Sequence, residues 1–359
     1  MTIVRGRFAG PLLALLLCLA SPAVHAVAEL SKISEGVYAF MRTEPPGLTF
    51  ISNTVFIINE EDVVVIDTGI GPSVAAAAIE ALKKLTTHPV KYVVNTHWHD
   101  DHMMGNQAWR EAFPGAEFIA HENAEGELLS TGAANRKQLI EQGPAFARQI
   151  REAMGRNENL AGKPISNEER LSYSSDLVWA DRYFAEAPNF TVVRPTQSFD
   201  KHLRLVRGTR VIDLRYLGRG HTAADIVVHL PKENILITGD LVVWPIPLFG
   251  TTSFPVDYVA TLESMLALKA AVLVPGHGPV MRDDSFVRSM VELLKSIDSQ
   301  TRAAFARGES LELARKSVRL EEFRTKFAGD SALRGFLFDS YVTGPGVARA
   351  YQQISGKLP

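Results

Sequence analysis

The chain has 359 residues, 46% hydrophobic and 22% charged, with 38 basic against 40 acidic side chains, ten histidines and a single cysteine. This balance excludes disordered, collagenous and membrane-bundle chains. A formal net charge of −2 leaves no broad cationic field for a nucleic-acid backbone or an anionic membrane surface, so no nucleic-acid partner is expected. The length suits one large domain with additions or two ordinary ones, and the pattern along the chain must decide.

Met1–Ala26 carries Arg5 and Arg7, an apolar run Pro11–Ala20, and then Ser21-Pro22-Ala23-Val24-His25-Ala26. It reads as a secretory signal peptide, with Val24 and Ala26 flanking His25 at the cleavage signal. The apolar run is about half of the roughly 20 residues that span a bilayer, so no stable membrane insertion is expected after cleavage. A periplasmic or secreted protein is the expectation. Cys18, the only cysteine, falls inside the removed stretch, which leaves the mature chain without thiol or disulfide.

From Gly36 to Ile66 the sequence reads as β: Val37–Phe40, Thr54–Ile58 and Val63–Ile66, the last two separated by a turn at Asn59–Asp62. Short β-rich runs divided by polar turns predict an antiparallel start. Pro72–Leu85 follows as a helix with proline at its first turn, then the buried strand Tyr92–Val94. A loop at His97–His102, a helix around Asn106–Ala112 and a strand Phe118–Ala120 repeat that order, so the class is α/β. Glu122–Ala187 breaks the rhythm with charged helical stretches and reads as a helical insertion, either a lid or a buttress. Strands resume at Thr191–Val193, Leu203–Val206, Val211–Leu214, Ile226–Leu230 and Ile235–Ile237. A helix Tyr258–Leu268, a strand Val272–Val274 and a largely helical remainder complete the chain. The expected organisation is a signal peptide 1–26, a catalytic domain 27–282 with an insertion at about 122–187, and a C-terminal helical extension 283–359.

The densest chemistry lies in His97-Trp98-His99-Asp100-Asp101-His102, directly after a buried strand. Imidazole nitrogen and carboxylate oxygen are first-choice ligands for zinc, and also suit iron or manganese. In an extended segment His97 and His99 point to one side and can share a metal. Asp101 and His102 can face a second, about 3.5 to 4 Å away as in two-metal hydrolases. Gly220-His221-Thr222, Gly239-Asp240 and Pro275-Gly276-His277-Gly278 each follow a strand, where the loops of an α/β fold converge. Singly each is a common turn; jointly they match one site. His88, His121, His202 and His229 lie outside these positions and read as structural. Trp98 reads as packing under the loop.

Asp67-Thr68-Gly69, His97–His102, Gly220-His221-Thr222, Gly239-Asp240 and Gly276-His277-Gly278 together resemble the ordered motifs of the metallo-β-lactamase superfamily, over roughly Ile33–Val280. The resemblance implies an αββα sandwich with two zinc ions at one edge, iron or manganese being alternatives. It implies that His97, His99 and His221 hold the first metal, that Asp101, His102 and His277 hold the second, that Asp240 bridges them, and that Asp67 orients ligand histidines from behind. The best-known β-lactamases carry cysteine where Asp240 stands and a nearby lysine for the drug's carboxylate. Here the only cation from Leu241 to Gly276 is Lys269. The ligand set is closer to glyoxalase II and lactonases.

These features imply an exported dinuclear zinc-dependent hydrolase that cleaves a small-molecule ester, thioester, lactone or amide. Its nucleophile would be a hydroxide bridging the metals, oriented by Asp101 as catalytic carboxylate. A β-lactamase, a mononuclear iron persulfide dioxygenase and a metal-dependent periplasmic binding or assembly factor are the alternatives. The apolar stretch Leu241–Gly250 either lines a substrate pocket or packs against the insertion. Glu44–Phe50 is a candidate for the opposite wall.

Overall fold

The computed structural model describes residues 28–42 and 51–358; the expected signal peptide Met1–Ala26 and the whole of the proposed wall at Glu44–Phe50 lie outside them. The first sheet contains β1 (Ala28–Ser34), β2 (Val37–Arg42), β3 (Thr54–Ile58), β4 (Val63–Ile66), β5 (Val90–Val94), β6 (Glu117–His121) and β7 (Gln197–Phe199), side by side in chain order. The second holds β8 (His202–Arg207), β9 (Arg210–Tyr216), β10 (Ile226–Leu230), β11 (Ile235–Val243) and β12 (Val272–His277), also in consecutive order. Strands β1 to β4 run antiparallel and β4 to β7 parallel; in the second sheet only the β11–β12 pair is parallel.

Side-chain alternation decides how the layers stack. Val55 and Ile57 of β3 turn inward to meet Ile212, Leu214, Ile226 and Val228 of the second sheet, forming the central core. Phe56 between them points outward, with Val63 and Val65, onto Ala75, Ala78 and Leu82 of the helix Pro72–Lys83 and onto Trp109. On the far side, Val227 and Leu236 pack against Tyr258 and Leu262 of the helix Pro255–Leu266 and against Met290, Leu294 and Ile297 of the helix Ser285–Ala306. Strands covered on both faces read as continuous apolar runs, as Val63–Ile66 does. The product is the expected αββα sandwich.

The insertion comprises helices Glu122–Glu127, Ala133–Gly155 and Asn167–Glu186, the last opened by a reciprocal capping box between Ser166 and Glu169. Its Ala147, Ile150, Tyr173 and Leu177 join one apolar cluster with Leu333, Leu337 and Phe338 of the C-terminal helices. Ile246 and Phe249, from the segment after Asp240, are buried in the same cluster. Packing therefore takes up these apolar side chains of the Leu241–Gly250 stretch. No helix among the described residues is long and apolar enough to cross a membrane.

Two local expectations are corrected, and one strand, β1, was not anticipated. Thr191–Val193 is not a strand: Thr191 N–H is taken by the Gln107 side chain and Pro195 supplies no ladder donor, so pairing with β6 starts after it, at Gln197–Phe199. The polar edge strand β1 carries no apolar run to betray it. Strand β11 continues to Val243, so Gly239 and Asp240 lie within a strand, at a register shift against β12, rather than after one.

Candidate metal centre

The fold brings the seven anticipated side chains to one rim of the sandwich. His97, His99, His221 and Asp240 form one group and Asp101, His102, Asp240 and His277 a second, with the donor atoms of each within 4.8 Å of one another. Asp240 faces both. Its Oδ2 lies 3.5 Å from His221 Nε2 and 4.0 Å from His97 Nε2; its Oδ1 lies 3.2 Å from His102 Nε2 and 3.5 Å from His277 Nε2. Asp101 Oδ2 stands 3.0 Å from His277 Nε2 and 3.3 Å from His102 Nε2, and His221 Nε2 stands 3.0 Å from His99 Nδ1.

Local backbone chemistry makes these approaches feasible. Gly239 adopts φ +52°, and a Cβ there would strike the Thr96 side chain at 2.6 Å. At Gly276 a Cβ would stand 1.9 Å from Asp240 Oδ1, so the glycine before His277 is the space that the Asp240 carboxylate occupies. His102 enters on the short helix Asp100–Met103, and the buried Thr68 hydroxyl and Asn95 amide both donate to its carbonyl, at 3.0 Å each.

The opposite ring nitrogens are already engaged. Asp67 Oδ2 accepts from His102 Nδ1 at 2.8 Å and from the Thr96 hydroxyl at 2.7 Å, and that hydroxyl lies 3.2 Å from His97 Nδ1. One carboxylate thus sets two imidazoles, directly and through Thr96. The Leu248 carbonyl faces His221 Nδ1 at 3.1 Å, and the Thr252 hydroxyl faces His99 Nε2 at 3.2 Å while donating to the His221 carbonyl. Each pairing leaves the nitrogen that points into the centre as the lone-pair donor. His97 Nε2, His102 Nε2, His277 Nε2 and Asp240 Oδ1 are buried without hydrogen-bond partners. Orphaned, convergent nitrogen and oxygen donors of this kind fit divalent cations, which satisfy polar atoms that burial would otherwise strand.

Electrostatics divide the two groups. Burial pushes His97 and His221 down, and takes His99 to about 3, so these rings are neutral. In the other group burial is overcome: Asp240 and Asp101 raise His277 to about 9 and hold His102 well above the ordinary imidazole value. Asp101 and Asp240 in turn sit well below the usual carboxylate range, the neighbouring imidazoles outweighing burial.

The two intervening residues of the motif reach away from the centre into the insertion. Asp100 accepts from Arg136 Nη2 and Nε at 2.7 and 2.9 Å and from the Tyr183 hydroxyl at 2.8 Å. Trp98, 2% exposed, donates its indole N–H to Glu127 and packs over Gly132, where a Cβ would come within 3.1 Å of the ring. Arg136, Tyr183, Glu127, Thr252 and the Leu248 carbonyl were not anticipated. Of the other histidines, His121 caps the helix Glu122–Glu127, His202 contacts Asp213 and His88 contacts the Asn59 carbonyl, all outside the two groups.

The sandwich carries at its rim two His/Asp groups that could hold metal ions. The family model of the metallo-β-lactamase superfamily matches residues 47–277, and the chain belongs to that superfamily. It is 27% identical over 228 residues to a linear primary-alkylsulfatase of Pseudomonas sp. (strain ATCC 19151), an alignment covering 61% of this chain and 40% of that protein. The chain therefore matches less than half the length of that relative. In fold it resembles a metallo-β-lactamase of Pontibacter korlensis (21% identity, TM-score 0.51, covering 75% of this chain and 99% of that one) and the mono-zinc form of the metallo-β-lactamase FIM-1 of Pseudomonas aeruginosa (18%, 0.50, 75% and 95%).

Proposed function

We propose that the protein is an exported dinuclear hydrolase, with zinc the first candidate metal, acting on a small-molecule ester, thioester, lactone or amide. The carrying observation is the division of Asp240, one oxygen toward each histidine group. His97, His99 and His221 would hold one cation, Asp101, His102 and His277 the other, and Asp240 both. Bound divalent cations supply Lewis acidity and lower the pKa of water enough for nucleophilic attack near neutral pH. The protein's own part is to fix the donors through Asp67, Thr96, Thr252 and the Leu248 carbonyl, and to handle a proton. Asp101 suits that role as a hydrogen-bond acceptor that orients the nucleophile: its side chain keeps 17% exposure where Asp240 keeps 1%, so it is the more open of the two carboxylates. Carboxyl-ester hydrolysis is favoured over β-lactam hydrolysis because Asp240 replaces the cysteine of the best-known β-lactamases. The Met1–Ala26 pattern supports export to the periplasm or beyond.

The test is metal content by mass spectrometry after loading with zinc, iron or manganese, paired with rates on an aryl ester, a thioester, a lactone, an alkyl sulfate and a cephalosporin. Two ions per chain and turnover of an ester-type substrate, both lost in Asp240→Ala, are expected. Full turnover in chains stripped of metal, or one iron per chain with oxygen uptake, would overturn the reading.

A further inference from the structure

Trp98 stands between two donors of the first histidine group, His97 and His99, and its ring meets the His99 imidazole edge-on with centroids 4.4 Å apart. What holds Trp98 in place comes from the insertion. Its indole N–H donates to the carboxylate of Glu127, the last residue of the helix Glu122–Glu127, and the backbone N–H of Ala223 acts on the same carboxylate. Ala223 lies two residues past His221, the third histidine of that group, and its carbonyl accepts from Asn123 Nδ2, on the same helix, at 3.0 Å. One short helix therefore grips both loops that supply the three imidazoles.

Apolar packing repeats the pattern. Trp98 of the first loop, Ala124 and Leu128 of the insertion and Ala224 of the second loop are buried in a single cluster. Directly after Glu127 the chain widens into a π turn over Leu128–Gly132, a geometry that recurs at functional sites, and a Cβ on Gly132 would come within 3.1 Å of the Trp98 ring. The other group has a separate tether: Asp100, which precedes Asp101 and His102, is held by Arg136 and Tyr183 from the two later helices of the insertion.

The chemistry of the first tether calls for a carboxylate. Two N–H donors from different loops meet at Glu127, and an ionised carboxylate accepts at both oxygens, whereas a glutamine must turn its NH2 toward one of the two. We propose that Glu127 is a positioning residue that sets His97, His99 and His221 through Trp98 and Ala223, so that the insertion governs occupancy of the first metal position separately from the second. The proposal rests on the two-metal reading and deepens it. A helix that merely buttressed the fold would weaken both positions alike.

Stepwise zinc binding, measured by chelator competition in the parent, Glu127→Gln, Trp98→Phe and the double variant, separates these roles, with His221→Ala and His277→Ala marking which step belongs to which group. Glu127→Gln is expected to weaken the step that His221→Ala removes by at least about tenfold, as for other partners behind ligand residues, and to leave the step that His277→Ala removes unchanged. Trp98→Phe keeps a ring and loses the N–H, so it should act on the same step, and the double variant should bind no more weakly than the worse single one. Equal loss at both steps together with a lower metal-free melting temperature, loss at neither step, or additive loss in the double variant would overturn the proposal. The expected binding pattern in a chain that hydrolyses no ester would count against the hydrolase reading and support the positioning role. A single bound ion that survives His221→Ala would overturn both the two-metal reading and the proposal.

Discussion

Replacing Arg136 by methionine tests whether the insertion shapes the metal loop. The Asp100 and Arg136 side chains keep 16% and 11% exposure, and their two N···O contacts of 2.7 and 2.9 Å form a bidentate pair. Removing one partner of a buried pair strands the other and costs about 3–5 kcal/mol. Two features hold the figure near the lower bound: Tyr183 continues to donate at 2.8 Å, and burial already raises the Asp100 pKa, so the stranded carboxylate can take up a proton. About 3 kcal/mol of unfolding free energy should therefore be lost in the metal-free chain. Asp100 opens the same four-residue helix that carries Asp101 and His102, so its release should also weaken metal binding, by about 10–100-fold as for other partners of ligand residues. Denaturant unfolding of Asp100→Asn, Arg136→Met and the double variant, with zinc affinity by chelator competition, gives both quantities, and the double variant should show a coupling of about 2 kcal/mol. Single variants within about 0.5 kcal/mol of the parent and of unchanged zinc affinity would refute the reasoning.

Gly276→Ala should lower zinc affinity by more than tenfold, measured by chelator competition, because its Cβ would occupy the place of Asp240 Oδ1. Thr252→Val removes the group that fixes His99, and zinc affinity should fall about 10–100-fold with little change in the metal-free melting temperature. Asp225 is fully buried against Thr222 and burial lifts its pKa to about 8 from 3.8. Its folded form keeps a proton that the unfolded chain has already released, so its contribution is present below about pH 4 and is lost as pH rises toward 8. In metal-free protein the stability of Asp225→Asn relative to parent should therefore climb between those values; a difference that stays flat with pH would contradict the burial argument.

The donor positions were legible because each belongs to a short motif beside an apolar strand, and because imidazoles and carboxylates so spaced have few other uses. The strand-to-helix alternation around Val63–Ala112 was legible for a similar reason: local periodicity carries it. What escaped notice depends on distant pairing. Thr252, Arg136, Tyr183 and Glu127 are ordinary residues in ordinary helices or turns, and nothing in their neighbourhoods says which part of the chain they will meet. Thr191–Val193 misled because β-branched residues favour extended backbone whether or not a ladder is available, and Pro195 delays the pairing. Asp240 looked like a turn residue because its glycine neighbour suggests one, whereas the same glycine lets the strand shift register and continue.

The donors come from both sheets: His97–His102 follow β5 of the first, while Asp240 and His277 belong to adjacent strands of the second, with His221 just ahead of β10. Cations at this rim would act as rivets between two halves that otherwise meet through an apolar core and scattered polar contacts such as Ile226 N–H to the Thr96 carbonyl, so occupancy and global unfolding become thermodynamically linked. A heat-denaturation midpoint that climbs with free zinc would then serve as a gauge of loading.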